Sequence, residues 1–361
     1  MNDINYIIIK PNGEKIMNIN YLQKLLSRID EIKIIGKNAE IDGVVCNVAA
    51  LVRYGAELRL VILEYDEYFQ DLIEEMEMYE PCEASPAPAT NRMRMKKRDK
   101  IKEIQPFKAL KSIYIGDSEF EVRGWENRRL DIKDGESILF LSELLRSGWS
   151  AEGIDYQNID MMFLNSIELV GDFDKIPDFE DTSLHFVMGK DIVTYVVELP
   201  VNLAVNGEYP VIWFKNKETG EENWAQINRV YLMDMWNEMG KTFSEPKLLE
   251  QMTKDQIDKA KRDFEEKFID ICPRGMCYPV VEYECEEYFS LQFYTKNYLE
   301  SIPVHKNGSM GFTMSTEKPT GILGMKLKAA IIQEPVSADT VRIEAELFQY
   351  NKTVTPDDIV I

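Results

Sequence analysis

Leu184–Phe214 reads LHFVMGKDIVTYVVELPVNLAVNGEYPVIWF, and this stretch decides the fold class. Three runs rich in β-branched and aromatic residues, His185–Val187, Ile192–Val197 and Val211–Phe214, are punctuated by Gly189 and by Asn206-Gly207. Such side chains suit a pleated surface, and Asn and Gly tolerate the positive φ of tight turns, so the stretch predicts short strands. Lys217-Glu218-Thr219-Gly220 turns the chain into a further strand, Trp224–Leu232, which makes Trp213 and Trp224 cross-strand neighbours.

The same grammar recurs on both sides. Ser112–Val122 reads as a hairpin about Gly116-Asp117, and Tyr278–Glu284 and Tyr288–Tyr294 read as strands. Met325–Gln333 and Thr340–Tyr350 form a candidate C-terminal hairpin. In its second arm Val341, Ile343, Ala345 and Leu347 alternate with Arg342, Glu344, Glu346 and Phe348, the period of a half-buried antiparallel strand. Helical spacing is sparser. Pro246 suits a first turn, and Leu248, Leu249, Met252, Ile257, Ala260, Phe264 and Phe268 continue helically to Asp270. Thr253-x-x-Gln256 resembles a capping box, so two helices, 246–252 and 254–270, fit as well as one. Ser137–Arg146, ended by Gly148, reads as a short helix. The expectation is an α+β protein of several modules, predominantly antiparallel β with a few amphipathic helices.

Residues 1–80 read as a small α/β module. Strands at 6–9 and 15–17 flank Pro11-Asn12-Gly13, a helix runs to Asp30, and strands follow at Ile32–Ile35, Ile41–Cys46 and Leu58–Leu63, the first two about a turn at Lys37-Asn38. From Tyr65 to Tyr79 the period becomes helical, with an apolar stripe and otherwise acidic positions. It reads as a solvated acidic face over a core-facing stripe. Residues 81–105 are a Pro/Ala-rich and then basic flexible linker or loop: Pro81, Pro86 and Pro88 are followed by Asn91–Lys102, in which seven of twelve residues are basic. No aromatics interleave there to stack on bases, so the segment is expected to lie against the protein's own acidic surface, such as the 64–80 helix, or to be disordered, with a partner-binding or nucleic-acid tether as the alternative. Residues 106–243 form a β-rich module, and 244–361 a helix followed by an antiparallel β module.

Charge narrows the partners. Forty-two Lys and Arg face 63 Asp and Glu, a formal −21, which argues against nucleic acid and anionic lipid, since both demand a positive surface. No apolar run approaches the roughly 20 residues that span a bilayer, and the start has no basic n-region, so a soluble cytoplasmic protein is expected. The five cysteines are too sparse for a disulfide framework.

Candidate chemistry is thin. Only two histidines exist, His185 and His305. Cys272-x4-Cys277, with Cys285 and His305 beyond, supplies the ligand types of a zinc site. However, an uninterrupted strand would hold Cys277 and Cys285 roughly 26 Å apart. Ordinary buried or semi-exposed thiols are the preferred reading. Asp172, Asp174, Asp178, Glu180 and Asp181 crowd one segment without the EF-hand order, and read as a solvated loop. Phosphate-cradling glycine motifs are missing, and no nucleophile elbow surrounds Ser309. Trp125, Trp149, Trp213, Trp224 and Trp236 are expected to pack in a core before they serve a surface.

Three functions follow in order. The first is a non-enzymatic macromolecule-binding protein whose partner is a basic protein. The alternative is a carboxylate- or metal-dependent enzyme, or an inactive relative, with a site between modules. The third is a Cys-based metal-binding module at 272–305, with zinc held by Cys272, Cys277, Cys285 and His305.

Overall fold

The computed structural model describes residues 7–9, 15–17, 19, 23, 29–66, 89–100, 105–131, 135–155, 157–176, 179, 182–303, 314 and 316–361. The Pro11-Asn12-Gly13 turn, the acidic helix beyond Asp66, the proline run, Asp178, Glu180, Asp181, His305 and Ser309 lie outside the described residues. The first nine strands are β1 (Ile7–Ile9), β2 (Lys15–Met17), β3 (Glu31–Ile41), β4 (Val44–Tyr54), β5 (Glu57–Asp66), β6 (Leu110–Ile115), β7 (Ser118–Arg129), β8 (Met162–Val170) and β9 (Leu184–Met188). There follow β10 (Asp191–Ala204), β11 (Val211–Lys215), β12 (Glu222–Met233), β13 (Met276–Cys285), β14 (Phe289–Thr295), β15 (Lys328–Ile331), β16 (Val336–Ser337), β17 (Arg342–Val354) and β18 (Ile359–Val360). The described helices are α1 (Asn91–Lys100), α2 (Gly135–Arg146), α3 (Met235–Thr242), α4 (Pro246–Gln251), α5 (Lys254–Ile271) and α6 (Lys296–Glu300). The chain is mostly antiparallel β with few helices. Among the described residues no helix is long and apolar enough to cross a membrane.

Contacts gather the chain into two units. Unit 1 holds Met1–Met78, Glu103–Asp191 and Thr355–Ile361, and unit 2 holds Tyr79–Lys102 and Ile192–Val354. The chain thus leaves unit 1 and returns to it twice.

Unit 1 is built on an eight-stranded sheet in the order β18-β9-β6-β7-β8-β5-β4-β3. Its first hairpin, β3–β4, turns at Asp42-Gly43, with φ of 51° and 83°, the paired positive values of a type I′ turn. The turn expected at Lys37-Asn38 is absent. Strand β3 runs through that point, with an irregularity between Ile34 and Lys37 where Gly36 takes φ 64°. Both faces of the sheet are buried. On one, Val48, Leu60, Ile62, Ile113, Ile167 and Phe186 surround Phe107, Phe173 and Ile176. On the other, Val52, Val61, Leu63 and Leu164 pack with Phe140 and Leu144 of α2 and with Trp149. Two-sided burial is why β4 reads as a continuous apolar run and not as an alternation.

Unit 2 has a three-stranded sheet, β10-β17-β14, and a second in the order β11-β12-β13-β15, with β16 also pairing β13. Val197, Leu203, Ile227, Val281, Tyr283, Leu291, Leu347 and Tyr350, drawn from both sheets, share one core. Burying each such side chain contributes roughly 1.5–3 kcal/mol. The helix signals resolve into two elements, α4 and α5, and Thr253 and Gln256 complete the capping box between them.

Pairing does not follow chain order in two places. The C-terminal hairpin does not form: β15 pairs β13, while β17 pairs β14. Strands β9, β10 and β11, consecutive in Leu184–Phe214, enter three different sheets. Trp213 and Trp224 are cross-strand partners, as their spacing predicts, but Trp213 is 64% exposed on the edge strand and outside the core.

Candidate functional site

The alternation of β5, β7 and β8 sends Arg59, Glu126, Arg128 and Ser166 to one face of the unit 1 sheet, where they line a cleft of ≈ 750 Å³. Helix α2 walls it with Glu136, Phe140 and Glu143, and the β4–β5 turn contributes Tyr54, Gly55 and Glu57. Among the described lining residues Asp30, Glu57, Glu126, Glu136 and Glu143 stand against Arg59 and Arg128, an excess of three negative charges, although Glu143 also accepts from Arg146, outside the lining, at 2.9 Å.

Arg59 is the hub of the cleft floor. Its Nε and Nη2 donate to Glu57 Oε2 at 3.3 and 3.0 Å, and its Nη1 donates to Ser166 Oγ at 3.3 Å. Glu126 Oε2 lies 3.7 Å from Nη1, and the Tyr54 ring stands 5.6 Å from the guanidinium carbon. Arg128 is 4.0 Å from Glu136, a loose ion pair. Asp30 accepts the Gly55 N–H at 2.5 Å and so fixes the turn at one lip. Glu57 and Glu126 remain more than half exposed, so each offers free carboxylate lone pairs to a cation in the cleft.

Glu64 belongs to the opposite face. It continues the Leu60–Ile62 alternation inward, is 3% exposed, and leaves Oε1 without a hydrogen-bond partner. Burial pushes its carboxyl up to about 7, and the nearby Asn165 amide opposes that only in part. Cys46 stands directly across on β4, its thiol pushed up first by burial and then by the Glu64 charge. Asn165, Asn127 and Trp125, on the neighbouring strands, also carry buried polar atoms without partners. This buried polar row does not line the cleft.

The metal ligands expected at 272–305 are placed as follows. Cys272 caps the end of α5 and Cys277 lies at the start of β13, close enough for the Cys277 charge to bear on the Cys272 thiol, while Cys285 closes the same unbroken strand. Burial pushes Cys272 up to about 11 and raises Cys277 as well. The Cys285 thiol faces Lys328 Nζ at 3.4 Å, and that ammonium also donates to the Glu286, Glu287 and Phe289 carbonyls. Among the described residues no group of three or more His, Cys, Asp or Glu is arranged to hold a metal ion. In the expected acidic loop, Asp172 caps a short turn by accepting the Asp174 N–H at 3.1 Å, and Phe173 and Ile176 are buried in the core.

Some acids hold the fold instead of facing solvent. Glu284 accepts N–H bonds from Leu323 and Met325 at 3.0 and 2.8 Å, and Glu282 takes both ends of Arg229 at 3.0 Å. His185 Nε2 lies 3.1 Å from Asp358, whose other oxygen accepts the Met188 N–H at 2.8 Å, tying β18 to β9. The sequence reading missed Arg59, Glu126 and Ser166 because the cleft joins three strands distant in the chain. Period-two alternation marks their shared face only once the pairing is known.

Comparison of the chain with protein-family models, with curated proteins and with solved structures finds no match.

Proposed function

We propose that the protein is a non-enzymatic binding protein whose unit 1 cleft receives cationic side chains of a basic partner protein. The observation that carries this reading is the charge of the cleft, five carboxylates against two guanidiniums. The formal −21 of the whole chain adds a long-range field that draws a basic partner in. Binding is favoured over catalysis because Glu64, the buried carboxyl poised near neutrality, lies on the other face of the sheet. A carboxylate enzyme would place such a group in its pocket.

The test is fluorescence anisotropy with a labelled oligolysine peptide. Binding is expected to weaken steeply as salt rises past about 0.1 M, where exposed charges are screened within about 10 Å. Glu57→Gln with Glu126→Gln is expected to weaken it by about tenfold. Binding that ignores both the salt and the double substitution would overturn the proposal.

A further inference from the structure

Unit 2 carries a second acidic site, and this one is filled. Arg92, in the first turn of α1, reaches carboxylates from three separate elements. Its Nη1 and Nη2 donate to Glu346 of β17 at 2.8 and 2.6 Å, its Nε to Glu300 of α6 at 2.8 Å, and its Nη1 also to Glu198 of β10 at 3.2 Å. The bidentate contact with Glu346 uses the planar fork that distinguishes arginine from lysine. The guanidinium carbon stands 5.7 Å from the Phe348 ring, so the pocket has an aromatic wall.

One helical turn later, Lys96 Nζ donates to Glu198 Oε2 at 3.1 Å, and Lys217 Nζ donates to the same oxygen at 2.8 Å. Burial works against the Glu198 charge, but these two ammonium groups more than offset it and hold the carboxyl down at about 2. Glu198 has φ 59°, a left-handed backbone within a strand, which a non-glycine residue keeps only where its surroundings impose it.

Among the described residues the other contacts of α1 cluster at its start: Thr90 accepts the Met93 N–H, Asn91 donates its backbone N–H to Ser301 O at 2.9 Å and its side-chain amide to Tyr298 O and Ser301 Oγ, and Met95 packs against Tyr294, Leu299 and Phe348. Met93 and Arg94 face solvent.

We infer that Glu198, Glu300 and Glu346 form a receptor for an arginine on a basic helix, and that α1 is its displaceable intramolecular occupant. The contact is autoinhibitory: a partner protein presenting Arg, with Lys one turn further on, competes with α1 for the pocket. The receptor lies wholly within unit 2, so it stands or falls separately from the cleft.

The test uses the full chain in a Glu57→Gln/Glu126→Gln background, wild type elsewhere, so that the unit 1 cleft does not take up the probe, and a labelled, end-capped peptide of residues 89–102. Wild type is expected to bind the peptide at least about tenfold more weakly than Arg92→Ala/Lys96→Ala, because a tethered occupant competes at high effective concentration. Adding Glu346→Gln to that variant, or placing Ala at position 92 of the peptide, is expected to remove the gain. Equal binding by wild type and variant, or no binding to a folded variant, overturns the inference. Should the variant not fold, wild type decides: excess peptide is expected to speed amide exchange of α1 at least about tenfold while β13 is unchanged. Exchange in α1 that does not respond to the peptide would refute the competition.

Discussion

Replacing Glu64 by Gln isolates the buried carboxyl with almost no change of shape. The folded chain holds this group at about 7 against an ordinary 4.5, because it is buried beside Cys46 and Asn165 with one oxygen unpartnered. Asp66, two residues on along the same strand face, is the nearest further acid of β5. Between those two values the folded state keeps a proton that the unfolded chain has released, so stability falls as pH rises through that window. The full difference is about 3 kcal/mol, reached above pH of about 7. Glutamine cannot ionise. The advantage of Glu64→Gln over wild type is therefore expected to be close to zero near pH 4.5, and to grow to about 3 kcal/mol near pH 8. Urea denaturation across this range, read through amide exchange in β5 so that unit 1 is followed by itself, measures it. A stability difference that stays flat with pH would mean that Glu64 ionises as an exposed carboxyl does, and the argument from burial would be wrong.

Two further outcomes are expected. A Cβ on Gly321 would collide with the Asn228 amide and the Glu284 carboxylate, so Gly321→Ala should loosen the 321–325 loop and lower unit 2 stability by about 2 kcal/mol in denaturant. Burial raises the thiols of Cys46, Cys272, Cys277 and Cys285, so mass spectrometry should find each alkylated at least about tenfold more slowly in the native chain than in denaturant at neutral pH.

The legible part of the fold was what neighbours along the chain decide. Gly116-Asp117 turned as read, because glycine supplies the positive φ that a tight hairpin demands. The capping box at Thr253 and Gln256 split its helix because both partners lie within four residues. The turn at Lys37-Asn38 failed for a physical reason: Asp42-Gly43 satisfies the geometry better, and Gly36 bends β3 without ending it. The basic segment after the prolines was expected to be a flexible loop, disordered or lying on acids such as those of 64–80. Asn91–Lys100 instead forms a helix, and the described ion pairs of Arg92 and Lys96 go to Glu198, Glu300 and Glu346. The acid cleft could not be read at all, since Glu57, Glu126 and Glu143 look in sequence like any solvated charge.

By itself the sequence determined that the chain makes mostly strands, where several of them turn, and that acid exceeds base by 21 charges. Those properties follow from sterics, alternation and composition, which act within a few residues. Only the tertiary structure decided that β9, β10 and β11 serve three sheets, that Asp358 meets His185, and that Arg92 meets three glutamates. A strand's pattern says which face is apolar but not which edge it will join, and a carboxylate's charge takes on meaning only when burial and partners fix its surroundings.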